Sequence, residues 1–167
     1  RLNLLSVKPV LYVANVGEGD DVPAALAGYA ARQQAPVCAF AARLEAELAE
    51  MDAGERAAML QDLGWPGDAA QGLVRAGYRL LDLITYFTAG PKQTAAWTVT
   101  RGTKAPQAAG KVHSDMERGF IRAEVISYDQ LVADGSFVAA RERGHVRLEG
   151  RDYVVQDGDI IHFRFSV

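Results

Sequence analysis

The residues of the first half that are best placed for chemistry are Asn15, Glu18 and Asp20, in a short polar loop that also holds Gly17. The loop directly follows residues 10–14, an unbroken apolar run of the kind found in parallel strands that are covered on both faces. Ligands of open α/β sheets bind outside the carboxyl ends of such strands. The position therefore predicts a ligand-binding loop, and an ordinary strand-to-loop turn is the alternative.

The elements that position this loop are a strand, a helix and a second strand. After the first strand, the alanine-rich residues 23–33 predict a helix, and residues 37–40 predict a short apolar strand. Neighbouring parallel strands joined by a helix need a right-handed crossover. Because two strands do not form a stable sheet alone, and the sequence begins close to the first of them, we expect a fragment that lacks an N-terminal half.

Three helices are predicted next. Leu44, Leu48 and Met51 follow the i, i+4, i+7 spacing of a buried helical stripe. Asp52 and Glu55 have the spacing of a capping box, which begins the second helix. The third helix has a predicted core face that consists of Leu73, Val74, Gly77, Leu80 and Leu81. The charged residues of these helices are interpreted as solvated faces without chemistry.

From residue 84 onward the pattern changes to short strands separated by turns. The predicted strands are residues 84–88, 94–100, 120–127, 146–148, 153–155 and 160–165, with a helix over residues 106–112 and helical turns capped by Asp129 and Ser136. The first two strands, joined by residues 89–93, predict a hairpin. Strands, one helix and further strands within about 85 residues indicate a compact α+β domain of β-grasp type. We therefore expect one domain in residues 1–82 and a second in residues 83–167.

Composition limits the classes of protein to which the sequence can belong. The 49% hydrophobic and 23% charged residues are ordinary for a globular protein. No apolar run approaches the ~20 residues of a membrane helix, and no signal peptide is recognisable, so we expect no membrane association. The single cysteine, Cys38, excludes a disulfide within this sequence and favours a cytoplasmic location. On an apolar strand it is interpreted as buried and inert.

A moderately basic segment lies in the second half. It contains Lys92, Arg101, Lys104, Lys111, Arg118 and Arg122 against only Asp115 and Glu117. Cations bind phosphates while aromatic rings stack on bases, so part of this segment is a candidate RNA-contact surface. Its residues are Lys104, Lys111, His113, Arg118 and Arg122, with Trp97 and Phe120 nearby. The alternative is that both aromatics are core, that the cations are a solvated face, and that His113 is hydrogen-bonded to Asp115. The net charge of −3 gives no reason to expect DNA binding.

Two long strings in the second half resemble a known module. They are AWTVTRGTKAPQAAGKVHSDMERGFIRAEVISY and, at the C-terminal end, EGRDYVVQDGDIIHFRFSV. His-Ser-Asp after a short helix and Asp-Gly-Asp before the last strand are marks of a TGS domain, a β-grasp module. Together with KPVLYVAN and LDLITYFTAG, the chain resembles the C-terminal half of the YchF family of Obg-like P-loop ATPases. The resemblance implies an α/β remnant of a P-loop NTPase domain (parallel strands with helices), followed by an α+β TGS domain of β-grasp, ubiquitin-like fold.

The resemblance also implies a role for the loop after the first strand. P-loop GTPases have Asn-Lys-x-Asp there, in which the lysine covers the base and the aspartate pairs with guanine. The matching residues here are Asn15, Val16, Gly17 and Glu18, so the lysine is absent and the longer glutamate moves its carboxylate out of guanine register. The resemblance therefore implies a preference for ATP, with Asn15, Val16 and Glu18 at the base. Residues 41–42, Ala41 and Ala42, align with the second base-side turn, where only backbone groups could contact the base.

The expected function follows from these parts. The resemblance implies a ribosome-associated ATPase that uses ATP with Mg²⁺, works in the cytoplasm, and contacts the ribosome or ribosomal RNA through its TGS domain. No Gly-x-x-x-x-Gly-Lys-Ser/Thr occurs in the sequence, so this chain alone is expected to hold neither a triphosphate nor Mg²⁺. We assign it no catalytic residue and no metal ligand, because His113, His145 and His162 lack metal-ligand spacing. The alternative is a non-enzymatic β-grasp module for protein interaction or regulation.

Overall fold

The computed structural model describes residues 4–63, 69–90 and 93–166, and the chain divides into two compact units between Leu81 and Asp82. Within these residues, the first unit contains a two-stranded sheet and four α-helices. Within the described residues the second unit contains a five-stranded sheet and four α-helices, none longer than eight residues. The buried cluster of the first unit lies among its helices, whereas those of the second unit lie on its sheet.

The sheet of the first unit is a parallel pair of short strands. β1 (Tyr12–Asn15) pairs with β2 (Val37–Phe40), and α1 (Ala24–Arg32) connects them, which confirms the predicted strand–helix–strand unit. The expectation that the first strand is covered on both faces is wrong for this chain, because Val13 is 42% exposed while Ala14 is buried. The face of β1 that carries Val13 therefore contacts solvent. Among the described residues β2 is the only strand that pairs with β1, so the other edge of β1 has no strand partner there.

Three further helices complete the described part of the first unit. They are α2 (Ala42–Ala49), α3 (Ala53–Asp62) and α4 (Ala69–Leu80). Leu44 and Leu48 are buried, and Met51 packs against them, as the helical stripe predicted. The capping box at the start of α3 is also confirmed. Asp52 Oδ1 accepts hydrogen bonds from the Gly54 and Glu55 amides at 2.8 and 3.0 Å, and Glu55 Oε2 accepts one from the Asp52 amide at 3.3 Å.

The core face predicted for α4 is correct only in part. Leu73, Gly77 and Leu80 are partly buried at i, i+4, i+7 spacing, and α4 packs against β2. Val74 and Leu81, in contrast, are 58% and 54% exposed. Each follows a residue of the stripe by one position, which turns a helix by about 100°, so both lie beside the stripe rather than on it.

The second unit is built on a mixed sheet. Its strands are β3 (Leu83–Ala89), β4 (Thr94–Thr100), β5 (Phe120–Ser127), β6 (Arg147–Glu149) and β7 (Asp159–Phe165). Their order across the sheet is β4-β3-β7-β5-β6. β3 and β4 form the predicted antiparallel hairpin, while β7 runs parallel to β3 and antiparallel to β5. Pro91 and Lys92 of the predicted hairpin turn lie outside the described residues.

One face of this sheet is covered by α5 (Ala105–Val112), which is followed by α6 (Ser114–Arg118). The α5 residues that face the sheet are alanines with no exposed surface, and such small side chains let the helix lie close to the strands. The Tyr86 hydroxyl donates a hydrogen bond to the Ala108 carbonyl at 2.7 Å, and the Tyr86 ring packs edge-on against Phe163. This helix packed on a mixed sheet is the β-grasp arrangement that the sequence predicted.

The opposite face of the sheet is covered in part by α7 (Tyr128–Asp134) and α8 (Phe137–Glu142). Ile126 and Ile160 are buried there against Ala140 of α8. Side chains alternate between the two faces along a strand, so Val125 and Ile161, which adjoin Ile126 and Ile160, belong to the core beneath α5. The second unit therefore has one core on each side of its sheet.

Residues 153–155 are not a strand, contrary to the prediction. The segment forms an isolated bridge between Val154 and Lys104 instead. The buried Asp159 carboxylate accepts hydrogen bonds from the Tyr153 hydroxyl at 2.7 Å and the Gln156 amide at 2.9 Å. The Tyr153 carbonyl also accepts from the Ala105 amide at 2.8 Å, and the Val155 amide donates to the Thr103 carbonyl at 3.0 Å, so the backbone pairing is limited to this one bridge. Partial burial of the ring, together with the hydrogen bond to Asp159, raises the pKa of the Tyr153 phenol to about 12.

The cap predicted for α7 is also wrong, whereas the one for α8 is correct. Ser127 Oγ, rather than Asp129, accepts a hydrogen bond from the Gln130 amide at 3.4 Å and begins α7. Ser136 Oγ accepts one from the Ala139 amide at 3.1 Å and begins α8. In both cases a serine hydroxyl occupies the position just before the first helical turn, where it satisfies a free amide.

Candidate functional site

The loop after β1 is joined to the start of α2 by one side chain. Asn15 Oδ1 accepts a hydrogen bond from the Ala42 amide at 3.3 Å, and the Val16 amide donates to the Phe40 carbonyl at 3.2 Å. Asn15 and Phe40 are paired residues at the ends of the two parallel strands. The structure therefore brings together the two segments, residues 15–18 and 41–42, that the sequence assigned to the base side of a nucleotide site.

The reason for this contact lies at the first turn of α2. The leading amides of a helix have no partner within it, and Ala41, at the N-cap position, has no side-chain oxygen to accept from them. Asn15 supplies that oxygen from another strand. Ala41 is buried at 2% exposure and packs in the α2 core, so its contribution is to packing, whereas the Ala42 amide makes the contact to the loop.

The rest of the loop is a tight turn with an exposed acid. The Asp20 amide donates to the Gly17 carbonyl at 3.2 Å, and Gly19 has a left-handed φ of 78°. A Cβ on Gly17 would lie 2.6 Å from Asp20 Oδ2, so a glycine there lets the aspartate fold back over the turn. Glu18 is exposed and makes no side-chain hydrogen bond or ion pair with a described residue. Its carboxylate is consequently available to a ligand.

Cys38, on β2 beside this loop, has the character of an unreactive thiol. It is partly rather than fully buried, and that burial raises the pKa of its thiol. A raised pKa keeps the thiol protonated near neutral pH, and the thiolate is the reactive form. The interpretation of Cys38 as inert is supported, although its burial is incomplete.

Four of the five predicted RNA-contact residues lie along α5 and α6. We call Lys104, Lys111 and Arg118 the helix-side cations, and His113 lies among them. Lys104 Nζ lies 2.7 Å from Asp152 Oδ1 and lowers the pKa of that carboxyl, and Arg118 pairs with Asp115. The Asp115 amide donates to His113 Nδ1 at 3.1 Å, so His113 begins α6 in the structural role that was the alternative. Most of the helix-side charge is thus matched by a neighbouring acid.

The two aromatic residues proposed near this surface are not free to stack on bases. Phe120 is 4% exposed and belongs to the core beneath α5, so its predicted role as a stacking residue is wrong. Trp97 is partly buried, and its Nε1 donates to Thr88 Oγ1 at 2.9 Å. Its ring lines an open, mainly apolar cavity of about 440 Å³ together with Met116 and Phe165. Both rings therefore pack against the sheet, and neither is free to stack on a base.

The fifth predicted residue, Arg122, lies on the other face of the sheet. It is the antiparallel partner of Arg164, and it alternates with Ala123, which is in the core beneath α5. Because residues directly opposite each other on paired strands share a face, Arg122 and Arg164 lie side by side, away from the helix-side cations. The prediction of one continuous five-residue surface is therefore wrong.

Arg122 belongs to a cluster that sequence reasoning missed. Arg141, His162 and Arg164 lie around the Glu124 carboxylate, and Arg122 lies opposite Arg164 on the same face. We call these four basic residues, with Glu124, the basic face. Glu124 Oε2 accepts from Arg141 Nη2 at 2.6 Å, and Glu124 Oε1 accepts from Arg164 Nη2 and Nε at 3.1 and 3.2 Å. The alternation Arg-x-Glu in β5 and His-x-Arg in β7 is the signal that indicates a shared face, once the strand pairing is known.

The electrostatics of this cluster favour an ionised Glu124. Partial burial raises the pKa of its carboxyl, but the hydrogen bonds and charges of Arg164 and Arg141 outweigh that effect and lower it below its ordinary value. At neutral pH the group is therefore a carboxylate that holds two guanidinium groups. Within the described residues, no group of three or more His, Cys, Asp or Glu is arranged to hold a metal ion, and no helix there is long and apolar enough to span a membrane.

A protein-family comparison decides where this fold and sequence belong. The family model YchF-GTPase_C, described as "Protein of unknown function (DUF933)", matches residues 83–166, which is half of the chain.

The chain belongs to the YchF family.

Curated YchF relatives are similar over nearly the whole chain. The "Ribosome-binding ATPase YchF" of Bacillus subtilis is 49% identical over 174 residues, which cover 100% of this chain and 48% of the relative. The "Obg-like ATPase 1" of Rattus norvegicus is 40% identical over 181 residues, covering 98% of this chain and 43% of the relative. The chain therefore spans about half the length of the curated relatives it matches.

Solved structures agree with this YchF assignment. The YchF GTPase of Schizosaccharomyces pombe superposes with a TM-score of 0.86 over 96% of this chain and 44% of its own, at 29% identity. A GTP-binding protein from Pyrococcus horikoshii is 19% identical, with a TM-score of 0.68 over 95% of this chain and 46% of its own, and shares the fold. These comparisons confirm the resemblance to the C-terminal half of the YchF family. They also confirm the predicted fold, an α/β portion followed by a β-grasp fold.

Proposed function

We propose that this chain is the C-terminal portion of a ribosome-associated ATPase, in which the first unit selects the nucleotide base and the second contacts the ribosome. The relatives named as ribosome-binding ATPases support the general activity. The observation that supports the base-selecting role is the hydrogen bond from the Ala42 amide to Asn15 Oδ1. It ties the two segments that border the base in related folds into one rigid wall at the ends of two parallel strands.

The side chains on this wall fit adenine better than guanine. Guanine readers use a lysine over the base and an aspartate that accepts two hydrogen bonds, and this loop has Val16 and Glu18 in those places. Glu18 is exposed and carries its carboxylate on a longer side chain, and Val16 offers apolar contact and backbone groups. A polar site discriminates strongly only when its donor and acceptor geometry is met. The nucleotide proposed for the longer protein is therefore ATP with Mg²⁺, and Asn15, Val16, Glu18, Ala41 and Ala42 are its base-side residues.

This assignment predicts that a guanine reader can be rebuilt in the loop. We expect the double substitution Val16→Lys and Glu18→Asp to raise the ratio of GTP to ATP affinity by about tenfold or more, because it restores a cationic cover and a correctly placed carboxylate. The measurement is displacement of a fluorescent ATP analogue by ATP and by GTP. The protein is a chimera that joins the N-terminal part of the Bacillus subtilis relative to this chain.

Two further variants separate base selection from loop integrity. Asn15→Ala removes the link to α2, with a cost of about 1 kcal/mol in stability, and should weaken ATP and GTP binding alike. Glu50→Asp makes the same glutamate-to-aspartate change at an exposed site at the end of α2 and should alter neither affinity. An unchanged GTP to ATP ratio in the rebuilt loop, with both nucleotides still bound, would contradict the base-selecting role.

The second unit is the part that we propose contacts the ribosome. Ribosome binding would place the protein in the cytoplasm. The proposed contacts to ribosomal RNA are Lys104, Lys111, His113, Arg118 and Arg122, all of which are exposed. Their exposure, in a chain whose net charge is −3, supports a local rather than a global attraction for phosphates. The competing function is a β-grasp module that docks another protein without catalysis, for which the near-neutral helix side is the supporting observation.

Sedimentation with purified ribosomes tests this contact. We expect the chain to sediment with ribosomes at low salt and to dissociate as salt rises, because phosphate contacts release counterions. Reversal of Lys104, Lys111, Arg118 and Arg122 to glutamate should abolish sedimentation. A control with the same total charge change, at Arg32, Arg43, Arg75 and Arg79 of the first unit, should retain it. Equal binding by the four-residue variant and the wild type would favour a protein partner on another surface.

A further inference from the structure

The basic face carries an excess of positive charge. Arg141 and Arg164 bind the single carboxylate of Glu124, and Arg122 lies opposite Arg164 on the same face. On the helix side, Lys104, Lys111 and Arg118 stand among Asp115, Glu117 and Asp152, and the charge of Arg151 also acts on Asp152. The excess of positive charge is therefore larger on the basic face, where three cations accompany one acid, than on the helix side, where four accompany three.

Glu124 orients the side chains of Arg141 and Arg164 but accepts hydrogen bonds from only some of their N–H donors. A guanidinium group has five N–H donors in a planar fork. Arg141 gives Glu124 one hydrogen bond through Nη2, and Arg164 gives two through Nε and Nη2. The Arg141 and Arg164 side chains are still 54% and 46% exposed, so their remaining donors point to accessible surface. Less conformational entropy is lost when such oriented forks bind an anion.

The other members complete an anion-binding surface. Arg122 lies beside Arg164 across the strand pair and makes no side-chain hydrogen bond or ion pair with any described residue. His162 is the strand partner of Glu124, and its Nδ1 lies 4.0 Å from Glu124 Oε2, with the imidazole 45% exposed. Oriented arginine forks match the oxygen geometry of phosphate groups, and an exposed imidazole can stack on a base or bond to a phosphate.

We propose that the basic face is the principal surface by which the second unit binds the phosphate backbone of RNA, and that the helix-side cations add a weaker contact. This inference rests on the proposed ribosome contact and names the surface that makes it. Within this surface Glu124 is a positioning residue, while Arg122, Arg141, His162 and Arg164 contact the RNA. The buried carboxylate among them explains why a site for an anion contains an acid: it orients the arginines and leaves a net positive charge.

Conservative neutral substitutions test the inference. We expect Arg122→Gln to weaken binding of a fluorescein-labelled oligouridylate by about tenfold, and Arg122→Gln with Arg164→Gln to weaken it by roughly a further tenfold. The slope of log affinity against log salt, measured between about 50 and about 200 mM, should become shallower by about 0.7 for each lost phosphate contact. Fluorescence anisotropy measures both, and ribosome sedimentation should follow the same order.

A matched control lies in the first unit. Arg32→Gln with Arg43→Gln removes the same charge as the double arginine variant at two exposed sites, and it should change RNA affinity by less than about twofold. Arg164 is hydrogen-bonded to Glu124, so its replacement also removes a contact within the fold. The single Arg122→Gln variant avoids this, because Arg122 supports no other described residue. Trp97 fluorescence and the urea unfolding midpoint verify that each variant is folded.

The outcomes separate this inference from the proposed function. If the wild-type chain binds RNA and ribosomes, but Arg122→Gln keeps the wild-type affinity and salt slope while Lys104→Gln with Lys111→Gln loses them, the helix side is the main RNA surface. The inference about the basic face is then wrong, and the proposed ribosome contact stands. If the variants lose ribosome binding although the wild-type chain does not bind purified ribosomal RNA, the basic face contacts an acidic protein, and the proposal that its partner is RNA is wrong. If wild-type chain binds neither RNA nor ribosomes, the proposed ribosome contact itself fails.

Discussion

Replacing Tyr86 with alanine should lower the free energy of unfolding of the second unit by about 3–5 kcal/mol, the range for removal of a buried aromatic ring. Tyr86 has no exposed surface, and its ring lies edge-on to Phe163, with 6.1 Å between the ring centroids. Its hydroxyl donates to the Ala108 carbonyl, and burial raises the pKa of that phenol. The alanine would leave a cavity directly beneath α5, where the small helix residues cannot fill it.

Urea unfolding followed by the fluorescence of Trp97, in a Trp65→Phe background, measures this effect. Trp97 packs against the same core, so its signal reports on the second unit. Tyr86→Phe is the matched control: it keeps the ring and removes one hydrogen bond, with an expected cost of about 1 kcal/mol. A loss for Tyr86→Ala no larger than that for Tyr86→Phe would mean that ring burial is not what holds α5 on the sheet.

Gly119→Ala should lower the same free energy of unfolding by about 1–3 kcal/mol, as overpacking of a closely fitted site does. A Cβ on Gly119 would overlap the carbonyl oxygen of Ser166, which is backbone and cannot rotate away. The Ser166 amide also donates to the Gly119 carbonyl at 2.9 Å, so the added methyl group would separate the end of β7 from the start of β5. The φ of Gly119 is −88°, which alanine adopts readily, so the expected cost is steric.

Alanine substitutions of two other glycines serve as comparisons for this prediction in the same urea experiment. A Cβ on Gly150 would meet no atom within 4 Å, so Gly150→Ala should leave stability within about 0.5 kcal/mol of wild type. A Cβ on Gly110 would meet the Glu117 carboxylate, a side-chain end that can rotate away, and its helical position favours alanine. We therefore expect the order of destabilisation to be Gly119, then Gly110, then Gly150. Equal losses at Gly119 and Gly150 would exclude the steric explanation.

Local patterns were the most reliable part of the sequence. The capping box of Asp52 and Glu55, the helical stripe of Leu44 and Leu48, and the hairpin of β3 and β4 are confirmed because each depends on residues close together in the chain. Family membership was also readable, since the long strings of the second half are specific to the YchF family. The roles assigned to Asn15, Val16 and Glu18 stay predictions, and nothing local to those residues could test them.

Predictions of burial were less reliable, because they depend on partners that the pattern does not name. Val13 and Val74 are apolar residues at plausible core positions, yet they are 42% and 58% exposed, because no described element covers the face of β1 or of α4 on which each lies. Residues 153–155 have strand-like composition but form only an isolated bridge, because their backbone pairs with residues 103–105, where α5 begins, and the pairing cannot continue.

The sequence by itself determined the family, the order of most elements and the polar loop that follows the first strand. Only the tertiary structure decided which of its polar residues act together. Asn15 is hydrogen-bonded to Ala42, which lies 27 residues further along the chain, and Glu124 is hydrogen-bonded to Arg164, which lies 40 residues further along. The physical reason is that strand register sets which side chains share a face, and register arises from pairing between segments far apart in the chain. Arg122 consequently lies in the basic face with Arg164, and not with the lysines that precede it in the sequence.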